Sequence, residues 1–254
     1  MKRVALVTGS NRGLGLETAR LLAAREWRVI LACRDVEQAR ALAKTIPDAS
    51  AQTLDLADAR TIGALRDALE RDGVMLDALV NNAAISMRGF DANVATKTLA
   101  VNLSGTLMAT GALASRVNDE GSIVMVSSGM GELSVLRQPA RARVEKAASL
   151  DEIEALGREF IRGVAQSNHE SAGWPSSAYS VSKALLNAAT RVLARELEAR
   201  HIRVNAVCPG WVRTDLGGPN APRDVRTGAT SIVTTVLEPK ATGGFFRDGA
   251  AIRW

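Results

Sequence analysis

Val4-Ala5-Leu6-Val7-Thr8-Gly9-Ser10-Asn11-Arg12-Gly13-Leu14-Gly15 is the stretch on which the fold turns. Its first four residues form a short apolar run of the kind a buried strand needs, and glycines then recur at Gly9, Gly13 and Gly15. Residues 14–25 place Leu and Ala at three-to-four spacing, the period of a helix with one buried face. Glycines in a strand-to-helix turn let the backbone bend tightly and approach a ligand closely, and the free N–H groups at the helix start attract anions. Strand, loop and helix in this order make Gly9, Ser10, Asn11, Arg12, Gly13, Leu14 and Gly15 the candidate cradle for a dinucleotide pyrophosphate.

Further strand-like runs lie at 29–32, 76–80, 122–126 and 202–207, with a short one at 51–54 before Asp55. Helical stretches such as 36–44 separate them. That alternation predicts an α/β fold, a Rossmann-type doubly wound parallel sheet, with the whole chain, 1–254, as one domain. Residues 132–174 break the rhythm. They carry many charges, Pro139 and a helical pattern around 150–164, too much chain for a plain connection, and are expected to be a helical insertion. The glycine- and proline-containing tail 217–254 is expected to be partly irregular, with a helix near 224–237 and a last short strand.

At 46% hydrophobic and 23% charged residues, the chain is neither disordered nor fibrous in composition. The net charge of +5 comes from arginines spread along helical stretches without interleaved aromatics, which suits a solvated surface better than a nucleic-acid footprint. Cys33 and Cys208, with His169 and His201 isolated, offer neither a disulfide framework nor a metal cage. Residues 1–8 are too short for a signal sequence, and no apolar run reaches membrane-spanning length, so a cytoplasmic protein without a membrane or nucleic-acid partner is expected.

The end of the second strand decides the nucleotide. A carboxylate there would bond a free ribose 2′-OH and repel a 2′-phosphate, but this chain has Cys33 and then Arg34. Arg12 adds a second guanidinium on the same side, so NADP(H) is expected over NAD(H). Asp35, one residue further, leaves the ribose reading open. Asp55 and Leu56 are placed to flank an adenine, and Asn82 and Ala83 to lie beside a ribose.

Tyr179-Ser180-Val181-Ser182-Lys183 opens a helix, and a spacing of four puts Tyr179 and Lys183 on one face. A nearby ammonium and an oxidised nicotinamide together favour the phenolate and bring a phenol closer to acid–base work at neutral pH. Ser128, at the end of the 122–126 strand, can donate to a carbonyl oxygen as it gains charge. Asn102, on a helix expected over 95–109, is a candidate to hold a water linking Lys183 to solvent.

Taken in order, the 8–15 loop, Asn81-Asn82-Ala83-Ala84, Asn102, Ser128, Tyr179-x-x-x-Lys183 and Pro209-Gly210 resemble the short-chain dehydrogenase/reductase family over essentially the whole chain. The long segment before Tyr179 and the runs Gly173-Trp174-Pro175-Ser176-Ser177-Ala178-Tyr179 and Cys208-Pro209-Gly210-Trp211-Val212-Arg213-Thr214-Asp215 are similar to its monomeric NADPH-dependent carbonyl reductases. The resemblance implies that Asn102, Ser128, Tyr179 and Lys183 form a proton-relay tetrad and that Lys183 and Tyr179 contact the nicotinamide ribose. It also implies that Pro209, Gly210, Val212 and Thr214 cover the nicotinamide, and that the insertion keeps the chain monomeric.

Two departures from those relatives are Ala84, where a glycine is usual, and an apparently shorter 86–95 stretch. Met130, Trp174 and Trp211 are candidates, with Ser128 and Tyr179, to line a pocket for a small carbonyl substrate, although each of the three also suits core packing. The expected reaction is hydride transfer from NADPH to a ketone, aldehyde or quinone with Tyr179 as general acid; the alternative is an NADP(H)-binding sensor without turnover. An enoyl reductase is disfavoured, because relatives with that activity space the tyrosine and lysine more widely.

Overall fold

The computed structural model describes residues 2–238 and 241–254. Its strands are β1 (Val4–Thr8), β2 (Arg28–Cys33), β3 (Ala49–Thr53), β4 (Leu76–Asn81), β5 (Val117–Val126), β6 (Arg203–Val207), β7 (Phe245–Arg247) and β8 (Ala250–Ile252). They form one sheet in the order β3-β2-β1-β4-β5-β6-β7-β8, parallel throughout except for the antiparallel β7–β8 pair. The order reverses between β1 and β4. In such sheets the carboxyl ends of the strands open into a crevice at that point, where ligands bind.

The helices are α1 (Gly13–Ala23), α2 (Val36–Ala43), α3 (Ala59–Arg71), α4 (Ala92–Leu99), α5 (Thr106–Ala114), α6 (Ala140–Lys146), α7 (Leu150–Ala165), α8 (Ala178–Glu196) and α9 (Val225–Leu237). Successive side chains on a strand point to opposite faces, so each β-strand feeds two cores. Ala5, Val7, Val29 and Leu31 pack under α1, α2 and α9 with Leu22, Ala39 and Ile232. Leu6, Ile30 and Leu79 pack on the other face with Leu65 of α3, Leu113 of α5 and Leu185 of α8. Short polar side chains cap most of these helices, among them Asp35, Asp58, Asp91, Ser149, Ser177 and Asp224, each accepting a backbone N–H of the first turn.

Three local features differ from expectation. The strand expected from 122 begins at Val117, because Val117 pairs with Leu76 before a register shift brings Ser122 opposite Ala78. The tail closes with two short strands, since β7 extends the parallel sheet beside β6 and β8 folds back on it. The helix expected over 95–109 is interrupted: α4 and α5 are joined by a π-helical stretch, Ala100–Gly105, of the kind that often marks functional positions.

Between β5 and α8 the chain forms α6 and α7. Ser149 accepts from Glu152 N–H, while Glu152 reaches back to accept from Ala148 N–H, a reciprocal cap that starts α7 sharply. Ile153, Leu156, Gly157 and Phe160 make its buried stripe against α4 and α8. Gly157 permits close approach, because a Cβ there would lie 3.1 Å from Leu99 Cδ2. Trp174 belongs to this core and does not line the crevice: it is 1% exposed, with its ring 5.8 Å from that of Phe160. An indole gains most free energy where it is fully covered, and the inner side of the insertion covers it.

Candidate active site

A cavity of about 1500 Å³ runs across the carboxyl edge of the sheet. The 9–15 loop forms one end of it. Gly9 has φ +64° and its missing side chain faces Ala83, whose Cα would lie 2.9 Å from an added Cβ. At Gly15 an added Cβ would come within 2.5 Å of Gly9 O and of Asn82 Nδ2, so the loop closes on β4 only without side chains. Thr8 Oγ1 accepts from the N–H groups of both Asn82 and Ala83 (3.0 and 2.9 Å), and Asn82 Nδ2 donates to Thr8 O (2.8 Å). These bonds lock the two strand ends together.

Arg12, the N-cap of α1, makes no capping bond with its side chain. The first N–H groups of α1 are left for an anion, so this cradle fits a dinucleotide pyrophosphate. Gly9, Asn11, Arg12, Gly13, Leu14 and Gly15 all line it. Ser10 does not. Its side chain is fully buried, with Oγ making no hydrogen bond among the described residues, because the turn at Gly9 directs it inward.

At the end of β2, Cys33 Sγ donates to Asp35 O (3.0 Å) and Arg34 reaches the cavity wall without an ion-pair partner among the described residues. Asp35 also lines the cavity, and its Oδ1 accepts from Gln38 N–H (2.9 Å) to cap α2. Asn11 Nδ2 donates to Gln38 Oε1 (2.7 Å) beside it. Arg12 pairs with Asp215 across the cavity mouth at 2.7 Å, both side chains largely exposed. Asp55, Leu56, Asn82 and Ala83 line the adjoining wall, and Asp55 also accepts from Ala57 N–H (2.9 Å).

Tyr179 and Lys183 stand in the first turns of α8, whose start is set by Ser177 accepting from Ser180 N–H (3.2 Å). Lys183 is buried and donates from Nζ to Val126 O (2.8 Å), with Nζ 5.7 Å from the centre of the Tyr179 ring. Burial lowers its pKa to about 8. Burial also pushes the Tyr179 phenol up to about 12, with the neighbouring Ser128 hydroxyl working the other way. In the cofactor-free chain desolvation is the larger influence on this phenol.

Ser128 accepts from Met130 N–H (3.1 Å) as the chain turns over α8. Gly131 makes that turn possible, since an added Cβ would lie 2.6 Å from Lys183 C, and Asn187 Nδ2 holds the turn by donating to Gly131 O (2.9 Å).

Asn102 lies on the π-helical stretch, outside the cavity wall. Its Oδ1 accepts from Ile85 N–H (2.8 Å), and its Nδ2 donates to Ile85 O (2.9 Å) and Ser182 Oγ (3.1 Å). These bonds join the segment after β4 to α8 and fix the position of the π-helical stretch.

Pro209, Gly210, Val212 and Thr214 follow β6 along the cavity, with Met130 and Trp211 on its open side. Met130 is 53% and Trp211 58% exposed, and Met87 and Leu216 add further exposed apolar wall. Trp211 is oriented by Nε1 donating to Gly217 O (2.8 Å). Ser127, Cys208, Arg223 and Arg247 also line the cavity, although sequence reading did not single them out as site residues. Ser127 and Cys208 adjoin recognised positions. Arg247 comes from a three-residue strand with no signal of its own, and Thr8, expected to open the glycine loop, is the last residue of β1. Among the described residues no group of His, Cys, Asp and Glu could hold a metal ion, and no helix is long and apolar enough to cross a membrane.

A strand-ordered dinucleotide cradle facing a Tyr-x-x-x-Lys helix defines a class, and comparison with known proteins agrees with it. The chain belongs to the short-chain dehydrogenase/reductase family: the short chain dehydrogenase family matches residues 3–142. A second family, described as enoyl-(acyl carrier protein) reductase, matches residues 163–230. Carbonyl reductase [NADPH] 1 of Sus scrofa is 33% identical over 273 aligned positions, covering 99% of this chain and 94% of that one. Among solved structures, salutaridine reductase from Papaver somniferum has a TM-score of 0.90 at 28% identity, covering 97% of this chain and all of that one. Menthone neomenthol reductase from Mentha piperita has a TM-score of 0.82 at 26% identity, covering 97% and 99%.

Proposed function

We propose that the protein is an NADPH-dependent carbonyl reductase acting on apolar ketones, aldehydes or quinones. The observation that carries this reading is that Tyr179, Ser128 and Lys183 line the same cavity as the glycine cradle and Arg34. NADPH, when bound, supplies the hydride. Gly9, Gly13 and Gly15 make room for its pyrophosphate, the α1 N-terminus complements the charge, and Arg34 and Arg12 offer guanidinium forks to a 2′-phosphate. Arg12 is shared with Asp215, so it must leave that partner to do so.

Ser128 orients the substrate oxygen, and Tyr179 holds the proton that this oxygen receives. The phenol is protonated at neutral pH, and burial makes it a weaker acid than a free phenol, so it gives up its proton only as negative charge builds on the substrate oxygen beside it. Lys183 fixes the floor of the site through Val126 O and contributes positive charge below its pKa of about 8. Asn102 is a positioning residue that ties Ile85 to Ser182. The packing of α7 against α4 and α8 supports a monomer, which light scattering tests directly.

NADPH absorbance should fall when the protein is mixed with members of a panel of quinones, aromatic ketones, aldehydes and steroid or terpenoid ketones. Tyr179→Phe should lower kcat on any reduced member by about 10²- to 10⁴-fold, with NADPH still bound. Full activity in that variant would remove the proposed acid from the reaction.

A further inference from the structure

Two guanidiniums reach the wall of the cavity beyond Ser128, and they are not equivalent. Arg223 is spent: its Nη1 and Nη2 donate to both carboxylate oxygens of Asp248 at 2.9 and 2.5 Å. Arg247 is not. Among the described residues its only hydrogen bond runs from Nη2 to Cys208 Sγ (3.3 Å), a weak acceptor; the Nε of both arginines is buried without a partner, so the difference lies at the terminal nitrogens. Its nearest carboxylate, Glu132 Oε1, stands 3.8 Å away, beyond hydrogen-bond reach.

The guanidinium lies directly against the turn that follows Ser128, since a Cβ added at Gly129 would meet Arg247 Nη2 at 2.9 Å. Its side chain remains 39% exposed, open to the cavity. A partly exposed guanidinium beside a reacting-oxygen site, with Nη1 unpaired among the described residues and Nη2 held only by a thiol, can meet a planar oxyanion from outside the protein.

Resting on the carbonyl-reductase reading above, we propose that Arg247 recognises a carboxylate on the substrate, so that the preferred compounds are apolar ketones or aldehydes that also carry a carboxylate. Met87, Met130, Trp211 and Leu216 give the carbon frame its apolar surface. Arg247 holds the acid end and leaves the carbonyl to Ser128 and Tyr179. Glu132 competes weakly for the same guanidinium and tunes the preference.

The test pairs keto acids of increasing reach, 4-acetylbenzoate and 5-oxo-5-phenylpentanoate, with their methyl esters, which differ only in charge and size at the acid end. Turnover is followed by NADPH absorbance and binding by calorimetry in the presence of NADP+. At least one acid should exceed its ester by roughly tenfold in kcat/KM and in affinity, the range of a charge-assisted hydrogen bond. Arg247→Gln should bring the acid-to-ester ratio close to one, Arg247→Lys should retain part of it, and Glu132→Gln should raise it.

Calorimetry separates the two readings. Acid-selective binding that depends on Arg247, without NADPH consumption, would leave the anion site standing and remove the carbonyl-reductase reading. Turnover in which every ester equals or exceeds its acid, with the ratio unmoved by Arg247→Gln, would overturn the anion site and leave the reductase reading intact.

Discussion

The two ends of the cavity are built by different means. At the cradle end, backbone and glycine geometry do the work: Gly9 and Gly15 close on Ala83 and Asn82, Thr8 locks two strand ends, and Asp35 is committed to a helix cap. At the far end the wall is made of side chains that keep much of their surface open, Met87, Met130, Trp211 and Leu216, and of charges drawn from the tail of the sheet. A close-packed backbone cradle admits one ligand geometry, because any added atom meets main chain. A wall of exposed, flexible side chains admits many, and its selectivity is set by whichever polar group is left unsatisfied. The first end is thus matched to a common ligand and the second to a particular one.

Lys183 joins the two ends and should show the largest effect after Tyr179. Lys183→Met is expected to lower kcat by about 10²-fold or more, read from NADPH consumption. The same change should stabilise the cofactor-free fold. An ammonium whose pKa drops from 10.5 to about 8 on burial costs roughly 3 kcal/mol at neutral pH, because the unfolded chain keeps its proton more easily. That deficit is complete below pH 8 and is relieved as pH rises from 8 to 10.5, so urea midpoints of the wild type should climb across that window and those of Lys183→Met should climb less. Reduction rates of the wild type are expected to fall above about pH 8 as Lys183 loses its charge.

At the cradle end, Arg34→Ala should lower the preference for NADPH over NADH by about 10- to 100-fold, as for loss of a charged hydrogen bond, while leaving the ranking of carbonyl substrates in place. A changed substrate ranking would break the division between the two ends. Gly131→Ala tests the other side. An added methyl group against the backbone of α8 should displace the 128–130 turn and lower kcat/KM for substrate about tenfold, with the Kd for NADPH moved far less. The smallest effect belongs to Asp215→Asn: an exposed ion pair with Arg12 contributes at most about 0.5 kcal/mol to stability, but freeing Arg12 should tighten NADPH binding a few-fold.

Several parts of the site were legible because their signals are local. The glycine turn needs φ values and close approaches that few sequences permit, Tyr179 and Lys183 share a face through helix period alone, and Arg34 follows the second strand directly. Other parts were not. Trp174 adjoins α8 in sequence, yet it faces Phe160, since only the packing of α7 determines which side of the 173–178 stretch is covered. The interruption at Asn102 is equally silent, because a π turn is stabilised by what the surrounding helices do with its freed backbone.

By itself, the order of apolar runs, glycines and the Tyr-x-x-x-Lys spacing determined the sheet, the ligand edge and the kind of chemistry that edge could support. These are consequences of backbone sterics and periodicity, which act within a few residues of their cause. Tertiary structure alone decided how each polar group is spent: that burial raises the Tyr179 phenol, that Asn102 binds Ile85 and Ser182, that Asp248 neutralises Arg223 and leaves Arg247 open. Solvation and hydrogen-bond satisfaction depend on every group within a few ångströms, and residues 128, 208, 223 and 247 become neighbours only when β5, β6 and β7 pair.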